Sequence, residues 1–162
     1  MNDSQGSVTI RTRSEGETRV WGRRLGEELK PGMMICLSGP LGAGKTVLAS
    51  GILDGAGVPP PHRSPTFTLV WEHRSSFSIN HVDLYRLSAE EAIDDLPWDY
   101  LVSEDAAAVV EWADRLPERV LPHDRMEILL VRPGEGMETR EIRASAFGRC
   151  RRMLRGGVDM SC

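Results

Sequence analysis

Residues 39–46 read Gly-Pro-Leu-Gly-Ala-Gly-Lys-Thr, and this stretch constrains the fold more than any other part of the chain. It matches the phosphate-binding loop pattern G-x-x-x-x-G-K-[ST] at every fixed position. In that pattern the backbone N–H groups converge on phosphate oxygens, the lysine adds a positive charge, and the hydroxyl binds Mg²⁺. The motif therefore predicts a phosphate loop in which Lys45 and Thr46 are the functional side chains. An ordinary glycine-rich turn is the alternative interpretation.

The segments on either side of the phosphate loop support the first interpretation. Residues 33–37 form a continuous apolar run, which is typical of a buried parallel strand. Residues 47–53 carry apolar side chains at helical spacing, and a helix that begins at the loop directs its positive dipole end toward bound phosphates. We therefore predict an α/β phosphate-loop fold with three layers, α/β/α, around a mixed and mainly parallel central sheet.

The composition of the chain further narrows the class of protein to which it can belong. Its 162 residues suit one domain, and values of 40% hydrophobic and 27% charged are close to those of average soluble proteins. A net charge of −4 argues against nucleic-acid binding through the overall electrostatic field. No stretch approaches the ~18 apolar residues of a membrane span, and the N-terminus lacks signal-peptide features. We expect a cytoplasmic protein that does not enter a membrane.

Cysteine and histidine usage gives no sign of a metal-binding framework. The three cysteines form no close-spaced pair, so we expect free thiols. The four histidines are scattered without an i, i+4 pair, which favours solvated or hydrogen-bonded side chains over a zinc site.

Local signals predict elements at both ends of the chain. Ser14 and Glu17 fit a capping box that opens a helix to about Lys30, with an apolar face of Val20, Trp21, Leu25 and Leu29. Residues 125–131 and 139–144 read as strands of a closing hairpin, whose turn is formed by residues 133–136. We expect residues 1–147 to form one domain and residues 148–162 a flexible basic tail. A basic patch for RNA or an acidic partner is the alternative for that tail.

Two carboxylates follow apolar strands, at the sheet edge where ligands bind in such folds. Asp83 ends the strand of residues 77–82, and Glu111 ends that of residues 106–110. Both are candidates for binding a metal or orienting water. Asp83 also suits the cap of a turn at residues 84–87. Trp112 suits either stacking on a base or packing in the core.

A Gly- and Pro-rich loop precedes Thr66, in the position where nucleotide switches place a loop after the first helix. Thr66 is a candidate for binding the metal or sensing the γ-phosphate. The alternative is that it merely opens the strand of residues 67–72.

Five local strings in one order resemble the TsaE (YjeE) family of bacterial ATPases, over about residues 12–144. The strings are Glu17-Thr18, the phosphate loop, Ser64-Pro65-Thr66-Phe67-Thr68-Leu69-Val70, His81-Val82-Asp83-Leu84-Tyr85-Arg86-Leu87 and Glu111-Trp112. The resemblance implies slow hydrolysis of Mg²⁺-ATP in support of threonylcarbamoyladenosine synthesis on tRNA. It also implies two partner proteins, one TsaD-like and one TsaB-like, with tRNA contacted only indirectly or through their complex.

The resemblance also implies roles for individual residues. Lys45, Asp83 and Glu111 are the expected catalytic residues, and Thr46 and Glu111 the expected Mg²⁺ ligands. Residues 64–66 correspond to a switch-like loop. The expected nucleotide-binding residues are Gly39, Leu41, Gly42, Ala43, Gly44, Lys45, Thr46, Val47, Thr18, Thr66 and Trp112.

The chain departs from the family at Pro40, where an Asp is usual. Proline gives up a carboxylate and a backbone N–H, but the main phosphate donors come from residues 42–46, so we expect ATP binding to survive. Two rival functions remain, a small-molecule phosphoryl transferase and a nucleotide-gated binding module without turnover. A GTPase is disfavoured because no Asn-Lys-x-Asp string is present.

Overall fold

A seven-stranded mixed sheet forms the centre of the computed structural model, which describes residues 6–62, 65–88, 90–134 and 138–155. In chain order the strands are β1 (Gly6–Thr12), β2 (Met34–Ser38), β3 (Val70–Arg74), β4 (Ser78–Asp83), β5 (Ala106–Glu111), β6 (Arg125–Val131) and β7 (Arg140–Ala146). The helices are α1 (Glu15–Glu28), α2 (Lys45–Gly55), α3 (Glu90–Asp94), α4 (Trp98–Leu101) and α5 (Arg151–Arg155), with short 3₁₀ turns at Ala113–Arg115, Glu118–Val120 and Gly148–Cys150.

The spatial order of the strands is β1-β7-β6-β2-β5-β4-β3. The four central strands, β6, β2, β5 and β4, are parallel to one another. The outer pairs β1–β7, β6–β7 and β3–β4 are antiparallel. The strand before the phosphate loop, β2, therefore lies at the centre, and its apolar run is buried on both faces. This arrangement confirms the predicted α/β class with a mixed sheet and a closing β6–β7 hairpin.

Helices cover the sheet on both faces, which gives the three predicted layers. On one face α1 and α2 pack against Ile35, Leu37 and Val109, and on the other α3 and α4 enclose Met34, Cys36 and Val110. Cys36 and Cys150 are buried free thiols, as expected, and Cys162 lies outside the described residues. No helix within the described ranges is both long enough and apolar enough to span a bilayer.

Helix α1 begins as the capping signal predicts. Ser14 is the N-cap, and its hydroxyl accepts a hydrogen bond from Glu17 N, while the Glu17 carboxylate accepts one from Arg13 N. The helix packs closely on α2, because a Cβ at Gly26 would lie 2.0 Å from Ile52 O. Val20 is 49% exposed, so its assignment to the apolar face was wrong.

The C-terminal segment differs from the predicted tail. The structure continues past residue 147 into a 3₁₀ turn and α5, and Cys150, Met153 and Leu154 are buried in the same core cluster as Ile10. Burial of three apolar side chains anchors this segment despite its arginines. The packed domain therefore extends to Arg155, and the rest of the predicted tail lies outside the described residues.

The segment before β3 also differs from its prediction. β3 begins at Val70, and residues 65–69 form turns instead of strand, with Leu69 at a positive φ of 69°. Phe67 is 86% exposed. Thr66 consequently does not open the strand. Ser64 of the predicted switch-like loop and residues 135–136 of the predicted hairpin turn lie outside the described residues.

Candidate functional site

The phosphate loop connects β2 to α2 through three glycines in the left-handed region. Gly39, Gly42 and Gly44 have φ values of 140°, 76° and 105°, which L side chains rarely adopt. A Cβ at Gly39 would also lie 2.3 Å from Leu130 O. The sequence folds this way because only glycine satisfies these positions. The result is a curled backbone at the N-terminus of α2, a suitable environment for anions.

Lys45 begins α2 and folds back over the loop. Its Nζ donates hydrogen bonds to Gly39 O at 2.6 Å and Pro40 O at 2.9 Å. The same atom lies 3.9 Å from the ring centroid of Trp112, close enough for a cation–π contact. Burial lowers the pKa of Lys45, while the charges of Glu111 and nearby carboxylates act in the opposite direction. Lys45 is therefore a positive charge held at the loop.

Thr46 and Glu111 meet across the loop. Thr46 Oγ1 donates to Glu111 Oε2 at 2.9 Å, and Glu111 Oε1 lies 2.8 Å from His81 Nε2. Glu111 is 2% exposed. The two side chains predicted to be Mg²⁺ ligands, Thr46 and Glu111, are thus in direct contact.

Asp83 ends β4 directly opposite Glu111 in the parallel β4–β5 pairing. Its Oδ2 accepts from Thr66 Oγ1 at 3.0 Å, and its Oδ1 accepts from Tyr85 N at 2.9 Å. Asp83 therefore does cap the following turn, which was the alternative interpretation, and it also links the segment at Thr66 to the site. The two interpretations of Asp83 are compatible.

Trp112 follows Glu111 with a positive φ of 59°. Its ring contacts Lys45 Nζ and lies 5.1 Å from the ring of Tyr85. It is half-buried and also packs against the apolar cluster on the α3–α4 face. The structure thus gives Trp112 both a packing contact and a position at the site.

A cleft of about 380 Å³ opens over the phosphate loop. Most of the residues expected to bind nucleotide or metal contribute to its lining. They are Leu41, Gly42, Gly44, Lys45, Thr46, Val47, Thr66, Asp83, Glu111 and Trp112.

Three expected residues are not among those that line the cleft: Gly39, Ala43 and Thr18. Thr18 is 1% exposed, and its hydroxyl donates to Ser14 O and forms a 2.7 Å hydrogen bond with the Thr12 hydroxyl. It therefore helps to join α1 to the end of β1. Glu15, one turn earlier on α1, lines the cleft.

Sequence reasoning missed four lining residues: Glu15, Tyr85, Arg132 and Arg140. Arg140 is 2% exposed, and its pKa is lowered first by burial and then by the charge of Arg132. Its Nε would lie 3.2 Å from a Cβ on Gly44, so the guanidinium packs directly against the phosphate loop. A signal was present, because Arg140 is in phase with the buried positions Ile142 and Ala144 of β7.

The charged side chains that the sheet contributes to the cleft come from both sides of β2. Asp83 and Glu111 approach from β4 and β5 on one side of β2, whereas Arg132 and Arg140 approach from β6 and β7 on the other. A ligand that combines anionic groups with a cation fits such a division.

Comparisons with known proteins identify the family of this chain. The family model described as "Threonylcarbamoyl adenosine biosynthesis protein TsaE" matches residues 12–142. The chain is 34% identical over 145 residues to the tRNA threonylcarbamoyladenosine biosynthesis protein TsaE of Bacillus subtilis, covering 89% of each chain. It is 45% identical over 116 residues to the protein of the same name from Mycobacterium tuberculosis, covering 64% of this chain and 67% of that protein.

A solved structure has a similar fold. The crystal structure of Bacillus subtilis YdiB superposes with a TM-score of 0.76 at 28% identity, covering 96% of this chain and 99% of that one. Because the family model spans residues 12–142 and the Bacillus subtilis relative is 34% identical over 89% of the chain, this protein belongs to the TsaE family.

Proposed function

We propose that the protein binds Mg²⁺-ATP in this cleft and hydrolyses it in support of threonylcarbamoyladenosine formation on tRNA. The observation that supports this most strongly is the hydrogen bond between Thr46 and Glu111 beside Lys45. It brings a hydroxyl, a carboxylate and an ammonium group together at the N-terminus of α2. These are the groups that a phosphate chain and its counter-ion require.

The donor set suits Mg²⁺. Thr46 and Glu111 offer oxygen ligands, which this ion prefers, and Mg²⁺ commonly takes few protein ligands because phosphates and water supply the rest. Within the described ranges no group of three or more His, Cys, Asp or Glu side chains could hold a metal alone. Thr46 and Glu111 would hold the ion, which when bound would neutralise charge on the phosphate chain.

The protein's own groups would act by position and charge. Lys45 contributes a cation at the loop, and Arg132 and Arg140 contribute two more from the opposite side. Asp83, fixed by Thr66 Oγ1 and Tyr85 N, is positioned to orient a water molecule. No covalent intermediate with the protein is needed for such a hydrolysis.

We also propose that the nucleotide state is read by TsaD-like and TsaB-like partners, and that tRNA is met only through their complex. The two partners are those that the resemblance to the TsaE family implies, and membership of a family named for threonylcarbamoyladenosine biosynthesis motivates the proposal. The net charge of −4 argues against independent binding of RNA. The Thr66–Asp83 hydrogen bond is adjacent to Phe67, which is 86% exposed, so this segment offers a route from the cleft to a partner.

The test is calorimetric titration with ATP in Mg²⁺ and in EDTA, followed by product analysis with and without both partners. We expect Mg²⁺-dependent binding and release of free phosphate that increases when the partners are added. A phosphorylated acceptor in place of free phosphate would indicate a phosphoryl transferase. Binding without turnover under all conditions would indicate a nucleotide-gated binding module.

A further inference from the structure

His81 of β4 contacts the Glu111 oxygen that Thr46 does not use. Its Nε2 lies 2.8 Å from Glu111 Oε1, while Thr46 Oγ1 lies 2.9 Å from Oε2. His81 and Glu111 are each 2% exposed, so water competes little for this contact. Both oxygens of the Glu111 carboxylate are therefore held, Oε2 by Thr46 at the phosphate loop and Oε1 by His81 of the neighbouring strand.

The strand register explains how His81 reaches this position. In the parallel β4–β5 pair, His81 is opposite Val109, and Asp83 is opposite Glu111. Side chains two residues apart on a strand share a face, so His81 and Asp83 point to the same side of the sheet as Glu111. The imidazole consequently approaches Glu111 from the adjacent strand, two residues before the position that pairs with Glu111.

Fold stability alone does not favour a histidine at this position. The other ring nitrogen, His81 Nδ1, is buried and has no hydrogen-bond partner among the residues described. The same is true of Nε2 of His73, whose ring centroid lies 6.4 Å from that of His81. Buried polar atoms without partners are destabilising, and an apolar side chain of similar size would avoid this cost. The contact with Glu111 is the interaction that an apolar side chain at this position could not make.

We propose that His81 is the positioning residue for Glu111. A carboxylate oxygen only accepts, so Nε2 carries the hydrogen and donates it to Oε1. This donation limits rotation of the carboxylate and directs Oε2 toward Thr46 and the phosphate loop. The role in the reaction rests on the proposed function, because Glu111 is assigned there to Mg²⁺. The contact itself does not depend on any ligand.

The first test compares two substitutions of His81 in the full chain. Gln retains an N–H donor at similar reach, whereas Leu has comparable size and no donor. We expect His81→Leu to lower kcat with both partners by about tenfold or more and to raise the half-saturating Mg²⁺ concentration by a similar factor. ATP affinity measured in EDTA should change less than about twofold, because Lys45 and the loop remain. His81→Gln should recover most of the loss.

The matched control is His73→Leu, which changes the adjacent buried histidine without touching Glu111. Its kcat and Mg²⁺ dependence should equal those of the wild type. Thermal unfolding of His81→Leu should occur at the same temperature as in the wild type or higher, which separates positioning from a structural role. Unchanged kcat and Mg²⁺ dependence in His81→Leu would overturn the proposal. So would a His81→Gln variant as impaired as His81→Leu.

A second test needs no nucleotide. The imidazole ¹⁵N chemical shifts of the free protein, with the His81 signals assigned by their absence in His81→Gln, report which nitrogen carries hydrogen. We expect hydrogen on Nε2, slowly exchanging with solvent. Hydrogen on Nδ1 with a bare Nε2 would overturn the proposal even if Mg²⁺-ATP binds. Failure of the wild type to bind Mg²⁺-ATP would instead overturn the proposed function and the role of His81 in it.

Discussion

Thr46 Oγ1 donates a 2.9 Å hydrogen bond to Glu111 Oε2, although the two residues are 65 positions apart in the chain. The bond joins the first turn of α2 to the end of β5. A carboxylate beside a helix N-terminus interacts favourably with the helix dipole. The Glu111 carboxylate also lies near the side chain of Lys45, whose Nζ donates a hydrogen bond to Gly39 O of the loop. The arrangement brings the two predicted metal ligands, Thr46 and Glu111, into direct contact.

Replacing Glu111 by Gln tests the charge of this carboxylate. Gln keeps the shape and an oxygen that can accept from Thr46, but it removes the negative charge. We expect Mg²⁺-dependent ATP affinity and hydrolysis to fall by about tenfold or more, with little change in EDTA. Calorimetry in both buffers measures this, and the exposed Glu118→Gln is the control. Equal losses in the presence and absence of Mg²⁺ would show that Glu111 does not act through the metal.

Asp83→Asn should impair hydrolysis or the response to partners and leave ATP binding nearly unchanged. Both oxygens of Asp83 are already engaged, by Thr66 Oγ1 and Tyr85 N, so a direct share in binding the nucleotide is not required. We expect ATP affinity within about twofold of the wild type and a loss of hydrolysis or of the response to partners. Phosphate-release assays with and without partners measure this, with the exposed Asp99→Asn as the control. If Asp83→Asn weakens Mg²⁺-dependent binding and Glu111→Gln does not, the two roles must be exchanged.

Lys45→Ala should remove tight ATP binding while the fold survives. Among the residues that the structure describes, the ammonium group donates to two carbonyls of its own loop, so its loss should affect the core little. A charge-assisted contact with phosphate is worth about 2–3 kcal/mol, or roughly 30- to 150-fold in affinity. Calorimetric titration measures the affinity, and circular dichroism follows unfolding. The chain has one other lysine, the exposed Lys30, and Lys30→Ala should bind ATP normally. An unchanged dissociation constant for Lys45→Ala would refute its assignment.

Arg140→Gln should weaken binding of the phosphate chain itself. Arg140 packs against Gly44, and its pKa is lowered by burial and by Arg132, so a bound anion would relieve the repulsion between these guanidinium groups. We expect affinity for ATP and for inorganic tripolyphosphate to fall by about tenfold. The control is Arg143→Gln, at an exposed position of the same strand. A loss for ATP alone would place Arg140 at the nucleoside end of the ligand.

Much of the site could be predicted because its signals are local in sequence. The three glycines and Lys45 of the phosphate loop follow one another in the chain, and Asp83 and Glu111 each end an apolar run. Parallel strands place their carboxyl ends at one edge of the sheet, so the approach of these two carboxylates follows from the fold class.

The missed features depend on long-range packing or on competing local signals. The alternation of β7 indicates that Arg140 is buried, but its contact with the loop depends on β6 lying beside β2 and β7 beside β6, and no local pattern reveals that strand order. At the C-terminus the density of arginines hid the apolar spacing of Cys150, Met153 and Leu154, which suits one buried face of a helix. Before β3, the positive φ of Leu69 forms a turn where β-prone residues predicted a strand.

Acidification should destabilise the fold through His73. This side chain is 8% exposed, and its ring lies 6.3 Å from that of His62 and 6.4 Å from that of His81. Burial, followed by the charges of the two neighbouring histidines, lowers the pKa of His73 from 6.5 to about 4. Between these values the unfolded chain binds a proton at His73 and the folded chain does not. The contribution of His73 to the free energy of unfolding is therefore fully present above pH 6.5 and is lost as the pH falls toward 4.

A pKa difference of this size corresponds to at most about 3 kcal/mol of unfolding free energy. Denaturant unfolding at several pH values between 7 and 4.5 should show the wild type losing stability relative to His73→Leu, which lacks the titrating group. His123→Leu, at an exposed position, is the control and should follow the wild type. If the wild type and His73→Leu show the same dependence on pH, then His73 takes up its proton as easily in the folded protein as in the unfolded chain. The ring would then have to be accessible to water, in contradiction to its buried position between His62 and His81.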